Sequence, residues 1–135
     1  VYTGVRWHVR AWCEKNLEYR DFVLSRFRDI PEIMDESGHG VAGDDEWNTR
    51  VTIRITPDPR LSREQQEVVQ VDYGMEDGAL EVATRGKLVP YALKLLHIDP
   101  NESLDDPAAQ QIIVANRAEL QPWLFSSPPS DKRRG

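Results

Sequence analysis

The stretch Arg6-Trp7-His8-Val9-Arg10-Ala11-Trp12-Cys13, followed by Tyr19-Arg20-Asp21-Phe22-Val23-Leu24-Ser25-Arg26-Phe27-Arg28, decides how the first third of the chain is read. The first segment alternates with period two, as a half-buried strand does. One face carries Trp7, Val9, Ala11 and Cys13; the other carries Arg6, His8, Arg10 and Trp12. The second segment is rich in aromatic and β-branched residues and predicts a strand over 19–28. Its faces are Arg20, Phe22, Leu24 and Arg26 against Tyr19, Asp21, Val23, Ser25 and Phe27. The short polar connection from Glu14 to Glu18 makes an antiparallel hairpin the natural pairing. Pro31 ends the second strand, because it has no N–H for the ladder.

Outward from the hairpin the texture changes. Residues 35–48 are rich in Gly and Asp and lack periodicity, so they read as a linker between two modules. Val51, Ile53 and Ile55 then alternate with Arg50, Thr52 and Arg54, a strand closed by Pro57 and Pro59. Ser62 with Gln65 three residues on is a capping-box start for a helix from about Arg63 to Val71, stopped at Gly74. Leu80 and Val82 form a short strand. Leu88, Tyr91, Ala92, Leu95 and Leu96 follow helical spacing, with Pro90 in the first turn, where it is tolerated. Ile112 to Val114 make a third strand, and Asn116 with Glu119 starts a last helix. The order β-α-β-α-β-α predicts an α+β fold in which helices cover one face of a sheet. Residues 126–135 lack apolar content and are expected to be disordered.

The formal net charge of −6 hides an asymmetry. Residues 1–30 carry six Lys/Arg against four acids, while the other 105 carry 11 against 19. Only the hairpin region has the sign to attract an anion. No apolar run approaches the ~20 residues of a membrane span. A lone cysteine, Cys13, excludes an internal disulfide and suits a reducing cytoplasm. The chain starts with Val and enters a strand pattern at once, which points to a piece of a longer protein.

Chemistry-bearing groupings are few. Gly38-His39-Gly40-Val41-Ala42-Gly43 matches G-x-G-x-x-G, but no strand precedes it, and Asp44, Asp45 and Glu46 would repel a pyrophosphate. His39, Asp44 and Asp45 could donate to a metal, yet flexible acidic loops usually bind nothing specific, so no metal or cofactor is expected. His8 and Cys13 fall on opposite strand faces and make no dyad. His97 reads as a helix-end residue. With no Ser/His/Asp set, no CxxC and no P-loop, an enzyme is not expected. What remains is the polar hairpin face. Neighbours on one strand face stand roughly 7 Å apart, and Arg6, His8, Arg10 and Trp12 would suit a phosphate with a base to stack. Arg20 and Arg26 are expected to extend the same patch. The bland alternative is an edge hairpin with solvated arginines.

The hairpin residues Trp7-His8-Val9-Arg10-Ala11-Trp12-Cys13 and Tyr19-Arg20-Asp21-Phe22-Val23-Leu24-Ser25-Arg26-Phe27 resemble the signature of WYL-domain transcriptional regulators, with His8 at the central Tyr and Val9 at the Leu. This version is similar to the repressors of bacterial anti-phage defence operons. Thr84-Arg85, Pro90-Tyr91-Ala92-Leu93 and Trp123-Leu124-Phe125 are similar to the C-terminal extension of that group. The resemblance implies a partial Sm/SH3-like β-barrel segment over 1–34, a linker over 35–48 and a small ferredoxin-like α/β-sandwich extension over 49–125. It implies a bacterial, cytoplasmic homodimer that senses a nucleotide or short single-stranded nucleic acid, and that binds operator DNA only through a winged helix absent from this chain. Carried over residue by residue, the ligand candidates are His8, Arg10, Arg20, Ser25 and Arg26. Arg6 and Trp12 come from the strand face instead. His8 in place of Tyr makes pH-dependent anion binding conceivable. Trp47 and Trp123 are candidate anchors of the dimer interface. The competing reading is a free-standing module binding single-stranded nucleic acid, weakened by the acidic second half.

Overall fold

A computed structural model describes residues 1–99 and 106–124; the tail expected at 126–135 lies outside the described residues. The chain divides into two compact units, with the break between Asn48 and Thr49.

In the first unit, β1 (His8–Cys13) and β2 (Glu18–Val23) form the antiparallel hairpin. The turn is closed by the Leu17 N–H donating to the Cys13 carbonyl at 2.8 Å. Leu17 takes φ 53°, a left-handed value unusual outside glycine. Both strands are shorter than the sequence suggests. A turn at Thr3–Arg6, with Gly4 at φ 90°, keeps Arg6 out of β1. Tyr2 and Trp7 make an isolated bridge. With β1 turned back there, the ladder runs out opposite β2, and Leu24–Arg26 become a single 3₁₀ turn. The segment 35–48, expected to be structureless throughout, has helical turns over its last eight residues: a 3₁₀ turn at Val41–Gly43 and α1 (Asp45–Asn48). Asp44 explains the second. One of its carboxylate oxygens accepts from the Trp47 N–H at 3.2 Å, capping α1.

The second unit keeps the expected β-α-β-α-β-α order: β3 (Arg50–Pro57), α2 (Arg63–Asp72), β4 (Leu80–Arg85), α3 (Val89–Leu95), β5 (Ile112–Val114) and α4 (Arg117–Leu124). The strands form one antiparallel sheet in the order β4-β3-β5. Ile53 and Ile55 of β3 are fully buried, and join Val69 of α2, Val89 and Leu93 of α3, and Leu120 and Leu124 of α4 in one core. Thr52 and Arg54, on the other face, are exposed. The unit is therefore a two-layer α+β sandwich, helices on one side. Each such side chain contributes about 1.5–3 kcal/mol on full burial. Among the described residues, neither sheet closes into a barrel.

The local signals of this unit are well obeyed. Ser62 and Gln65 form the capping box. α2 ends in a Schellman turn: the Met75 N–H reaches the Gln70 carbonyl, the Gly74 N–H reaches that of Val71, and Gly74 takes φ 62°. α3 ends the same way, with Ile98 bonded to Leu93, His97 to Lys94, and His97 itself at φ 57°. His97 thus ends the helix through its backbone conformation. Asn116 meets its expected partner Glu119, donating to its carboxylate at 3.2 Å, but its side-chain oxygen does not cap the helix. Its amide accepts from the Arg54 N–H and donates to the Thr52 carbonyl, at 2.9 and 2.7 Å, extending the ladder of β3 beyond the three residues of β5.

Trp123 packs within its own unit, its indole lying where a Cβ on Gly86 would stand. Gly86→Ala is expected to destabilise the unit by about 1–3 kcal/mol, the usual cost of overpacking. An unchanged denaturation midpoint would remove this packing role.

Candidate ligand face of the hairpin

The register of the hairpin assigns the faces. His8 pairs with Val23, Arg10 with Asp21, and Trp12 with Tyr19. Directly paired residues share a face, so these six lie together. Val9, Ala11 and Cys13 pair with Phe22, Arg20 and Glu18 and make the opposite face. Arg20 therefore does not join the Arg10 patch; its guanidinium lies 3.6 Å from Glu18 on its own strand. Ser25 and Arg26 lie in the 3₁₀ turn after β2, so the strand alternation that set them on opposite faces does not apply. Arg6 lies in the turn before β1 and is exposed. The seven candidates thus resolve into His8, Arg10 and Trp12 on one face, Arg20 on the other, and Arg6, Ser25 and Arg26 beyond the strand ends.

Arg10 is not a solvated cation. Its side chain is 9% exposed and that of Asp44 is 3% exposed. Nε of Arg10 donates to Oδ2 of Asp44 at 2.5 Å, and Nη2 donates to Oδ1 at 2.9 Å. This is the bidentate fork that guanidinium makes with carboxylate or phosphate. Oδ2 of Asp21 lies 3.4 Å from Nη1, and Glu46 stands 3.8 Å from Nη2. Burial opposes the charge on Arg10, but Asp44 and Asp21 together outweigh it and raise its pKa further. Two places along β1, Trp12 is also engaged. Its ring stacks on the His39 imidazole with centroids 3.8 Å apart and planes 6° from parallel, while Tyr19 meets it edge-on at 5.1 Å. The Tyr19 hydroxyl donates to the Gly40 carbonyl at 2.8 Å.

The polar face of β1 is therefore the covered one, and its cover is residues 39–48. Opposite it, Trp7 and Val9 remain 58% and 37% exposed. Asp44, Asp21, Tyr19 and His39 are site residues that the sequence reading missed. The available signal was charge: the acidic run 44–46 looked like a repellent for phosphate, yet the same sign makes it a partner for a basic strand.

His8 stands at the end of this face. Burial lowers its pKa below the usual value of 6.5; Asp21 opposes the shift, while Arg6, the N-terminus and Arg26 add to it. The imidazole is thus neutral at neutral pH, and the cation of this face is Arg10, which Asp21 opposes across the ladder. This arrangement can recognise a planar ring and an anion. It holds no nucleophile beside a base, and no group of His, Cys, Asp or Glu suited to a metal occurs among the described residues. No helix among them is long and apolar enough to cross a membrane.

Comparison with known proteins puts the chain among transcriptional regulators rather than enzymes. It belongs to the family described as BrxR transcriptional regulator, C-terminal dimerization domain, whose model matches residues 50–120. It is also similar, across both units, to proteins named DNA-binding transcriptional repressor CapW. The relative from Stenotrophomonas maltophilia is 34% identical over 123 residues, covering 91% of this chain and 41% of the relative. Those from Escherichia coli strain KTE188 and Pseudomonas aeruginosa are 36% and 33% identical over 124 and 121 residues, covering 92% and 90% of this chain and 41% and 40% of theirs. The chain spans about two fifths of the length of the curated relatives it matches.

The lowered pKa of His8 has a direct readout. Its imidazole is expected to titrate below 6.5 by NMR. Because the folded state binds this proton less readily than the unfolded chain, His8 should reduce stability as pH falls below 6.5. A midpoint at or above 6.5 would mean that Asp21 outweighs burial.

Proposed function

We propose that this chain is the effector-sensing and dimerising part of a bacterial transcriptional repressor. In this reading the hairpin unit is a partial WYL segment, the second unit is the extension that joins two copies, and operator binding belongs to a DNA-binding segment outside these 135 residues. The observation that carries it is the similarity to DNA-binding repressors across both units, with the second unit inside a dimerization family. The repressor would act in the cytoplasm and, by the hairpin resemblance, on a defence operon. The effector would be a nucleotide or a short single-stranded nucleic acid. Arg10 and Trp12 supply the anion fork and the stacking ring, and the neutral His8 supplies a hydrogen-bonding imidazole at the same face. Arg6, Ser25 and Arg26 stand beyond the strand ends, where they would meet flanking phosphates. Arg20, on the opposite face, is the weakest of the seven.

For dimerisation, Val68 and Val71 are the candidates. They are 59% and 80% exposed and one helical turn apart on α2. They give α2 an exposed apolar strip, the kind of centre that an isologous dimer interface needs. Val68→Glu with Val71→Glu is expected to convert a dimer into a folded monomer in sedimentation equilibrium. A dimer surviving both changes moves the interface elsewhere.

Effector binding is tested by titrating the 135-residue chain with a 5′-phosphorylated tetrathymidylate, beside Arg26→Ala. Binding that weakens by about 0.7 log units per phosphate contact for each tenfold rise in salt, and several-fold in the variant, is expected. No binding at low salt by a folded sample overturns the hairpin as the sensing site.

A further inference from the structure

The two groups a nucleotide would seek on this face are both occupied, and one short segment occupies them. His39 lies flat on Trp12, as a nucleobase would. Asp44 fills the fork of Arg10 with two oxygens, as a phosphate would. Arg10 and Trp12 are alternate residues of one strand face, roughly 7 Å apart along it, which is the kind of spacing that separates a base from its own phosphate. We propose that residues 39–44 are an internal stand-in for the effector, and that a nucleotide binds by displacing His39 from Trp12 and Asp44 from Arg10. This rests on the hairpin being the sensing site.

The construction of the segment supports exchange. Residues 27–40 contain no regular secondary structure, so the chain leading into the cover is free to move, and displacing Asp44 costs the cap of α1. The stacked ring is solvent-exposed, and its release costs one ring contact. Elsewhere the Tyr19 hydroxyl holds the cover through the Gly40 carbonyl at 2.8 Å, while the Asn48 amide on the Val41 carbonyl, at 2.7 Å, ties the cover to itself. Asp44 is the stronger holder, and an incoming phosphate replaces it with the same fork geometry on the same guanidinium. Being tethered, the stand-in competes at the effective concentration of a short linker, on the order of millimolar. It therefore sets a threshold that a free ligand must exceed, and raises the apparent Kd of any nucleotide accordingly.

The test uses the same tetrathymidylate probe on the 135-residue chain. His39→Ala is expected to tighten binding several-fold, because the ring competitor is gone and no buried group is disturbed. Asp44→Asn keeps a capping side chain for α1 while removing the competing charge, and should tighten binding further; a thermal melt establishes that it is folded. In the unmodified chain, the His39 ring protons should start upfield, shifted by the Trp12 ring current, and move to ordinary positions as the probe is added. If the probe binds while the His39 signals stay in place and His39→Ala binds no more tightly, the stand-in is overturned and the hairpin site survives elsewhere on its surface. If neither the unmodified chain nor a folded variant binds at low salt, the stand-in and the hairpin site fall together.

Discussion

A guanidinium that retains less than a tenth of its exposure cannot stand alone. Desolvating an unpaired charge costs several kcal/mol, so Arg10 must bring a carboxylate with it wherever it goes. That requirement organises the first unit. It holds the acidic turn 44–46 against the hairpin, sets Asp44 where it can cap α1, and leaves His39 and Gly40 over Trp12 and Tyr19. The outcome inverts the usual economy of a two-stranded sheet. Its polar face is covered by its own chain, while Trp7 and Val9 on the apolar face remain substantially exposed.

The second unit rests on a more ordinary constraint. β3 is the central strand, and its buried isoleucines supply the floor on which three helices sit. Much of this was legible in the residues. The alternation at 50–55, the Ser62 and Gln65 box and the apolar spacing of α3 depend on neighbours within a few residues, and such signals survive folding unchanged. Asn116 was less legible because its partners, Thr52 and Arg54, are 64 and 62 residues away. The same side chain could cap a helix or extend a sheet, and only the short length of β5 decides.

The candidate site divides along the same line. The faces of β1 follow from its period, and His8, Arg10 and Trp12 do share one. The position of Arg20 depends on cross-strand register, which the period of β2 alone does not carry: opposite Ala11, it belongs to the other face. Ser25 and Arg26 depend on where the partner strand ends, a matter settled by the turn at Thr3–Arg6. The acidic run was visible in the sequence but was weighed only against an external phosphate. A run of carboxylates some thirty residues from a basic strand has an internal partner within reach, and that pairing is favoured by tethering before any ligand arrives.

A buried ion pair is weak evidence for stability, since apolar residues of similar volume often do as well or better. Arg10 and Asp44 could thus be replaced by a hydrophobic contact that would hold the loop on the hairpin equally firmly. What such a contact could not do is change partners. An apolar side chain released from its pocket leaves a cavity that no anion fills, whereas a guanidinium released by one carboxylate presents the same fork to the next anion. The stacked rings have the same property, because a flat aromatic surface accepts a nucleobase as readily as an imidazole. Both contacts holding the cover are therefore of exchangeable kinds, and both lie on the one strand face whose chemistry suits a nucleotide. Exchangeability, rather than strength, is the physical feature that joins the packing of this hairpin to the proposed sensing role.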